Sequence, residues 1–527
     1  MPEDNPSQNV LDTVNSSMLS MRDEERTSEH KYENTKPRLR IAIIGSGVSG
    51  LAALWSLKGT SHEVHLYESQ DYFGGHTQTV EWQNLYGKGT TNVDIAFTLF
   101  NRRTYPTFNA FINHLKLPVH SMRVTFGLSR DNGNFEWSSK SLSTLFTQPR
   151  NIFSPSFYRM LWDILRFNHS AASILSPNYP YPDDTISDYL ARNNYSLSFQ
   201  NNYFIPLVSS LWVHDPNETL TCILMIMLVK YLYNHCILNS FGNSLKWSVV
   251  AGGASRYVDA ILDGIPADRL HKSTTVKNIT SIEGGKLALP FENEGVECFD
   301  RVIMATHAPQ ALDILGEGAT ALERSILGTF RTSSSTAVLH SDISFMPRNR
   351  KAWSGYNYHD FTTSLTSSEL APQPPRVSLT ANLNDLPGQD PRITGPIITT
   401  LNPSHLPHPD TIQGIFHYEH PILDHHAQVA QVEMRRIQGV RNIWYAGAWL
   451  GYGFHEDGFR SGVEAARGVE PGLELPFEVV DWKDGGGMKG WEKKGWEVGL
   501  LDLLIDLVQG VILGWTRVSR SIFAHRG

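Results

Sequence analysis

The sequence predicts an α/β fold: a Rossmann-like domain built on a parallel sheet, joined to a second, α+β domain. Three observations predict it. An apolar strand runs straight into a glycine-rich turn and a helix in RIAIIGSGVSGLAALWSL at 40–57. A second strand pattern, VHLY at 64–67, ends in the acid Glu68. Far downstream, FDRVIMAT at 299–306 and RNIWYAGA at 441–448 are again short apolar strands that end in small residues. At 527 residues the chain has room for two or three packed domains.

Ile41 to Ile44 form the short apolar run of a buried parallel strand. Gly45, Gly47 and Gly50 fill a G-x-G-x-x-G pattern, with Ser46, Val48 and Ser49 completing the loop. Gly45 allows the tight turn, Gly47 lets backbone approach a pyrophosphate, and Gly50 lets helix and strand pack closely. The helix start adds free N–H groups and a positive dipole end. Glu68 stands eighteen residues after Gly50, followed by Ser69, and its carboxylate can accept both hydroxyls of an adenosine ribose. The stretch therefore reads as a dinucleotide site.

Composition narrows the rest. A net charge of −8 and a pI near 6.2 argue against a nucleic-acid partner. Cys222, Cys236 and Cys298 are no disulfide framework, so a reducing, cytoplasmic compartment is expected. Residues 1–37 are polar, lack the features of a signal or transit peptide, and read as a disordered leader. LTCILMIMLV at 220–229 is too short to span a bilayer and reads as a buried helix. After a linker at 471–497, residues 498–527 carry an apolar helix pattern, VGLLDLLIDLVQGVILGW, with one polar stripe of Asp502, Asp506 and Gln509. Such a helix either docks on protein or makes a peripheral membrane contact through residues 498–515.

GGHTQT at 74–79 follows Glu68 by six residues. With this second glycine pair the chain resembles the flavin-containing amine oxidase superfamily, in which such a pair continues the FAD cradle. The resemblance makes Gly74, Gly75, His76 and Thr77 cofactor-binding; His76 stands where the superfamily usually has arginine. The likeness narrows to a group of FAD-binding oxidoreductases of bacteria and fungi, often encoded beside cyclopropane fatty-acyl synthases and fused to them in plants. It is carried by GGHTQTV, NVDIAFTLFNRRTYPTF at 92–108, FDRVIMATHAPQALDIL at 299–315, HYEHPILD at 417–424 and IWYAGAWLGYGFHEDGFRSGVEAA at 443–466. Ala96 replaces an expected glycine. The resemblance implies a discontinuous FAD-binding domain from 38–100, 250–325 and 426–470, with 101–249 and 326–425 forming the substrate domain.

GYGFHEDGFRSG at 451–462 then reads as the second half of the flavin site. Gly458 opens a turn and Phe459 to Arg467 form a helix whose positive end faces the flavin pyrimidine, where hydride transfer to N5 leaves negative charge. Gly447, Ala448, Gly453, Phe454, Glu456 and Asp457 belong to this half-site. The superfamily commonly has an acid at Ala448 to bind the ribityl chain. Either Glu456 or Asp457 replaces it, or the ribityl is held otherwise; one of the two acids also caps the helix. His455 and Phe454 lie nearest the substrate, and Arg331 is the basic residue that could stand in for the superfamily's lysine. No cysteine lies near this motif, so the FAD is expected to be held without a cysteinyl bond.

Other patterns are weaker. The histidines at 405, 408, 417, 420, 425 and 426 lack metal-ligand spacing and read as loop histidines, so no metal is expected. Trp444, Tyr445 and Trp449 suit a flavin-facing cage or a core equally, whereas Tyr452 and Phe454 suit the cage. His340 and Asp342 suit a strand end better than a base pair, and no G-x-S-x-G elbow supports hydrolysis. The expected activity is FAD-dependent oxidation of an organic substrate, with oxygen or another acceptor taking the electrons. Small-molecule amines and the acyl chains of lipids are the competing substrates, and a scaffold with structural FAD is the non-enzymatic alternative.

Overall fold

The computed structural model describes residues 37–212, 215–238, 245–292, 295–360, 378–480 and 508–509. Residues 1–36 of the leader, residues 481–497 of the linker and the C-terminal apolar segment apart from Val508 and Gln509 lie outside the described residues. Among the described residues no helix is long and apolar enough to cross a membrane.

Strand β1 (Arg40–Ile44) leads into helix α1 (Val48–Leu57), and β2 (Glu63–Tyr67) returns beside β1. A hairpin of β3 (Thr79–Gln83) and β4 (Thr90–Asp94) is followed by α2 (Pro106–His114). Helices α3 (Met225–Asn234) and α4 (Ser255–Leu262) precede β5 (Arg301–Met304) and α5 (Ala308–Leu315). The long strands β6 (Arg331–His340) and β7 (Ile412–Ile422) come next, then β8 (Ile443–Tyr445) and α6 (His455–Val469).

The first sheet runs β8–β5–β1–β2–Leu270–His271, every neighbouring pair parallel. Ile41 and Ile43 face a core shared with α1, α2, α4 and α6, while Ala42 and Ile44 face a second core with Val302, Met304 and α5. Burial on both faces is why β1 is an unbroken apolar run. Ile44, Met304 and Tyr445 lie in register, so Gly45, Ala305 and Ala446 leave the sheet together at its carboxyl edge. Ligands of open α/β sheets bind at that edge.

A second sheet of seven strands starts with β7 and β6 and continues through 398–401, 378–382, 356–360, 126–130 and 135–138. Its pairs are antiparallel except 356–360 with 126–130. The apolar run at 220–229 is not one helix. Ile223 and Leu224 are extended and split it between Pro216–Cys222 and α3, with Leu224 bridging to Thr185. Beyond the split, Met227, Leu228 and Val229 are buried as expected.

The last helix also begins earlier than its glycines suggested. Gly458 does not open a turn; it lies inside α6, where a Cβ would stand 2.6 Å from Val48 Cγ1. One turn on, a Cβ on Gly462 would stand 2.0 Å from the Ser49 carbonyl oxygen. Two glycines four apart share one helix face, and here they let α6 lie directly on α1.

Candidate flavin site

The two glycine-rich segments meet through this crossing, and the site is built around it. In the first, Gly45 has φ +98°, and a Cβ would stand 2.7 Å from the Ala305 carbonyl oxygen. A Cβ on Gly50 would fall 1.9 Å from the Gly45 carbonyl oxygen. Gly47 is different: a Cβ there would meet nothing within 4 Å. It N-caps α1, which has no side-chain cap and no acid in its first turn. An open space in front of uncapped N–H groups is an anion cradle.

Glu68 braces the same loop. One oxygen accepts from Ser46 N at 2.9 Å and Ser46 Oγ at 2.6 Å, and the other from Gln70 N at 2.9 Å and Ser69 Oγ at 3.2 Å. Gly74 N donates to Ser46 O at 3.2 Å, and a Cβ on Gly75 would stand 3.0 Å from Gly47 Cα. The second glycine pair thus lies against the first loop. His76 follows, in ring contact with Tyr418 at 5.0 Å, His420 at 5.4 Å and His307 at 6.3 Å. Burial, then the neighbouring His420 and His307, hold its imidazole down to about 3, so it is neutral and brings no arginine-like charge.

In the HED triplet each residue reaches a different element. His455 is buried, 8% exposed, stacks on Phe97 with ring centres 3.5 Å apart, and has Nε2 2.8 Å from the Tyr257 hydroxyl. That hydroxyl lies 2.5 Å from Thr77 Oγ1. Burial, with a smaller effect from His76, holds His455 well below its usual range. Glu456 is fully buried. Its oxygens accept from the backbone N–H groups of Thr107 at 2.9 Å and Phe108 at 2.8 Å, in the first turn of α2. Burial pushes its carboxyl up to about 7. Asp457 Oδ2 accepts from Tyr452 N at 3.0 Å and Phe454 N at 3.2 Å, and so caps its own helix.

Several sequence expectations change here. Of the two acids, Asp457 caps α6, while Glu456, expected at the ribityl chain or that cap, caps α2 across the fold. Phe454 stacks on Tyr231 of α3 at 4.9 Å and packs into both the nucleotide-side and the helical cores. Gly453, at φ +82°, faces Pro421 and Leu423; Gly447 backs onto Trp449, and Ala448 onto Gly458. Arg331 does not join these residues. Its guanidinium pairs with Glu218 at 3.0 Å and Asp424 at 2.9 Å, on a separate cavity of about 470 Å³ with Cys222, His425 and His426. A cation held between two carboxylates is not available as a stand-in lysine.

Among the aromatics, Tyr445 donates to Glu323 at 2.9 Å and Trp449 Nε1 to Thr306 O at 3.0 Å, as core residues. Tyr452 packs in the helical core. His340 pairs with Thr400 at 2.9 Å and Asp342 caps the following turn, which is strand-end polarity. Among the described residues no group of three or more His, Cys, Asp or Glu could hold a metal ion. Sequence reasoning missed Tyr257, Phe97, His307, and Tyr418 with His420 as neighbours of His76. Tyr418 and His420 alternate along β7, a period-2 signal, but nothing local marks Tyr257.

Residues 48–370, more than half of the chain, match the family described as flavin containing amine oxidoreductase. The chain belongs to that family. It is an FAD-dependent oxidoreductase, and the open cradle at Gly47 and the uncapped α1 fit a dinucleotide. Solved structures agree in fold. Cyclohexylamine oxidase from Brevibacterium oxydans IH-35A is 18% identical, with TM-score 0.58, over 82% of this chain and 99% of that one. A CLA-producing fatty acid isomerase from P. acnes is 15% identical, with TM-score 0.54, over 81% and 97%. A reduced UDP-galactopyranose mutase is 14% identical, with TM-score 0.56, over 82% and 94%. No curated protein sequence matches the chain.

Proposed function

We propose that this oxidoreductase removes hydride from the acyl chain of a lipid or fatty acid rather than from an amine, with oxygen or another acceptor taking the electrons. Bound FAD supplies the hydride acceptor, N5. The loop from Gly45 to Gly50 and the start of α1 would hold the pyrophosphate, Glu68 the ribose, and Gly74 to Thr77 the adjoining edge. The start of α6 would place its positive end toward the flavin pyrimidine.

One observation carries the choice of substrate. Four carboxylates around the cradle, Glu68, Asp94, Glu456 and Asp457, are each engaged by backbone N–H groups. Glu68 braces the first loop and Asp94 accepts from Ala254 N at 2.9 Å. Glu456 and Asp457 cap helices. The side chains grouped with His76 are the rings of His307, Tyr418 and His420. Held by backbone N–H donors, the four carboxylates are not set to turn toward an ammonium group, whereas an apolar chain needs no counter-ion. The likeness to oxidoreductases encoded beside cyclopropane fatty-acyl synthases supports the same substrate class, as does the name of the isomerase neighbour.

Anaerobic mixing with a panel of amines and of fatty acids and phospholipids tests the reading. Acyl substrates should bleach the flavin absorbance within seconds while amines leave it unchanged. Bleaching by an amine alone would overturn the substrate assignment, and no bleaching by any of them would favour a structural flavin.

A further inference from the structure

We infer that His455 is a positioning residue: it holds the second glycine segment of the cradle, Gly74 to Thr77, against the start of α6. The inference rests on the flavin reading of this site.

Two separate routes lead from the His455 ring to adjacent residues of that segment. One is polar. His455 Nε2 lies 2.8 Å from the Tyr257 hydroxyl, which lies 2.5 Å from Thr77 Oγ1. The phenol has one proton and two partners, so either Thr77 donates to Tyr257 and Tyr257 to His455, or the chain runs the other way. The first arrangement needs a neutral imidazole and both need an intact phenol, and burial favours each. The other route is apolar. His455 stacks on Phe97 with ring planes 9° apart, and Phe97 N donates to His76 O at 3.1 Å. The neighbouring bond, Ile95 N to Gln78 O, is also 3.1 Å.

The histidine is thus gripped on a face and on an edge, and both contacts end on the 76–77 peptide. Phe108 closes the ring's other approach, edge-on at 4.8 Å. A ring so enclosed, with Nε2 engaged, is set to hold backbone rather than to touch substrate. Because α6 cannot shift against α2 without breaking the Glu456 contacts, the histidine transmits a fixed helix start to the loop. Thr77 is the loop residue whose displacement would be felt first by a cofactor lying along Gly74 and Gly75.

A double-mutant cycle on the full chain tests this, reading FAD dissociation by fluorescence and apoprotein melting alongside turnover. His455→Phe keeps the stack and removes the polar link; Tyr257→Phe removes the same link from its middle. Each should weaken FAD about tenfold, the size of one buried hydrogen bond, and the double variant should be within about twofold of either single one. KM for whichever substrate reduces the flavin should stay within about twofold. A double variant weakened a hundredfold, which is simple additivity, would overturn the inference. So would a His455→Phe protein that binds FAD normally yet loses turnover, since the histidine would then act on substrate. Should His455→Phe fail to fold, Tyr257→Phe and Thr77→Val form the same cycle with the same expected non-additivity. Failure of the wild-type chain to bind FAD at all would instead strike the flavin reading beneath it.

Discussion

GSGVSG at 45–50 and GYGFHEDGFRSG at 451–462 are both glycine-rich, and their glycines do different work. In the first, one glycine faces empty space: Gly47 borders the cradle, and only a ligand would notice a side chain there. In the second, Gly458 and Gly462 face protein, because α6 lies on α1 with backbone nearly in contact. Gly451 likewise backs onto the Asp457 side chain. Glycine spacing marks a place where something comes close, and the tertiary structure decides whether that is cofactor or chain.

Substitution should separate the two stretches. Gly462→Val is expected to have the largest effect. Its Cβ would enter the Ser49 carbonyl, and backbone on both sides leaves no side chain to give way. A loss above about 4 kcal/mol in urea unfolding, with or without FAD, is the expected result. Glu456→Gln should cost about 3 kcal/mol, because one of two buried N–H donors at α2 would face an amide NH₂ instead of an oxygen. Its FAD content after refolding with excess cofactor should remain close to one per chain. Gly47→Val should do the reverse. The apoprotein should melt within a degree or two of wild type, while FAD affinity falls at least about a hundredfold. Normal FAD binding by Gly47→Val would remove the cradle from this loop.

The smallest effect is one of pH, and only the second stretch can show it, since 45–50 has no titrating side chain. Burial raises Glu456 from its ordinary 4.5 to about 7 in the folded protein. Between those values the folded state holds more proton than the unfolded one, so this group adds stability as pH falls from 7 toward 4.5. Glu456→Gln should therefore lose about 2 kcal/mol more than wild type between pH 7 and pH 5, beyond its loss at pH 7. Chemical unfolding at both pH values checks the sign. Buried histidines, among them His235 at about 3, act in the opposite direction in both proteins and cancel in the difference.

The parallel sheet, the first loop and α1 were legible because their signals are local. An apolar run, three glycines and a helix lie within eighteen residues, and each follows from the conformation of its own segment. The register that brings Gly45, Ala305 and Ala446 to one edge could be expected only from the later strand patterns and the resemblance. Arg331 shows where that reasoning stops. As a basic residue in a substrate segment it suited a catalytic part, yet Glu218 and Asp424, brought in from elsewhere, take both of its arms.

By itself, then, the sequence determined the α/β class and the glycine-rich turn, because backbone geometry at GSGVSG and VHLYE depends on neighbours in the chain. The family and the flavin were legible through the resemblance that GGHTQTV and the later segments carry. Only the tertiary structure decided the parts played by His455, Glu456 and Asp457. A carboxylate or imidazole takes its role from whichever unmatched hydrogen-bond group folding brings to it. Here those groups are the Tyr257 hydroxyl, the first turn of α2 and the loop before α6. Tyr257 and the start of α2 lie 198 residues or more away in the chain, and no local pattern announces them.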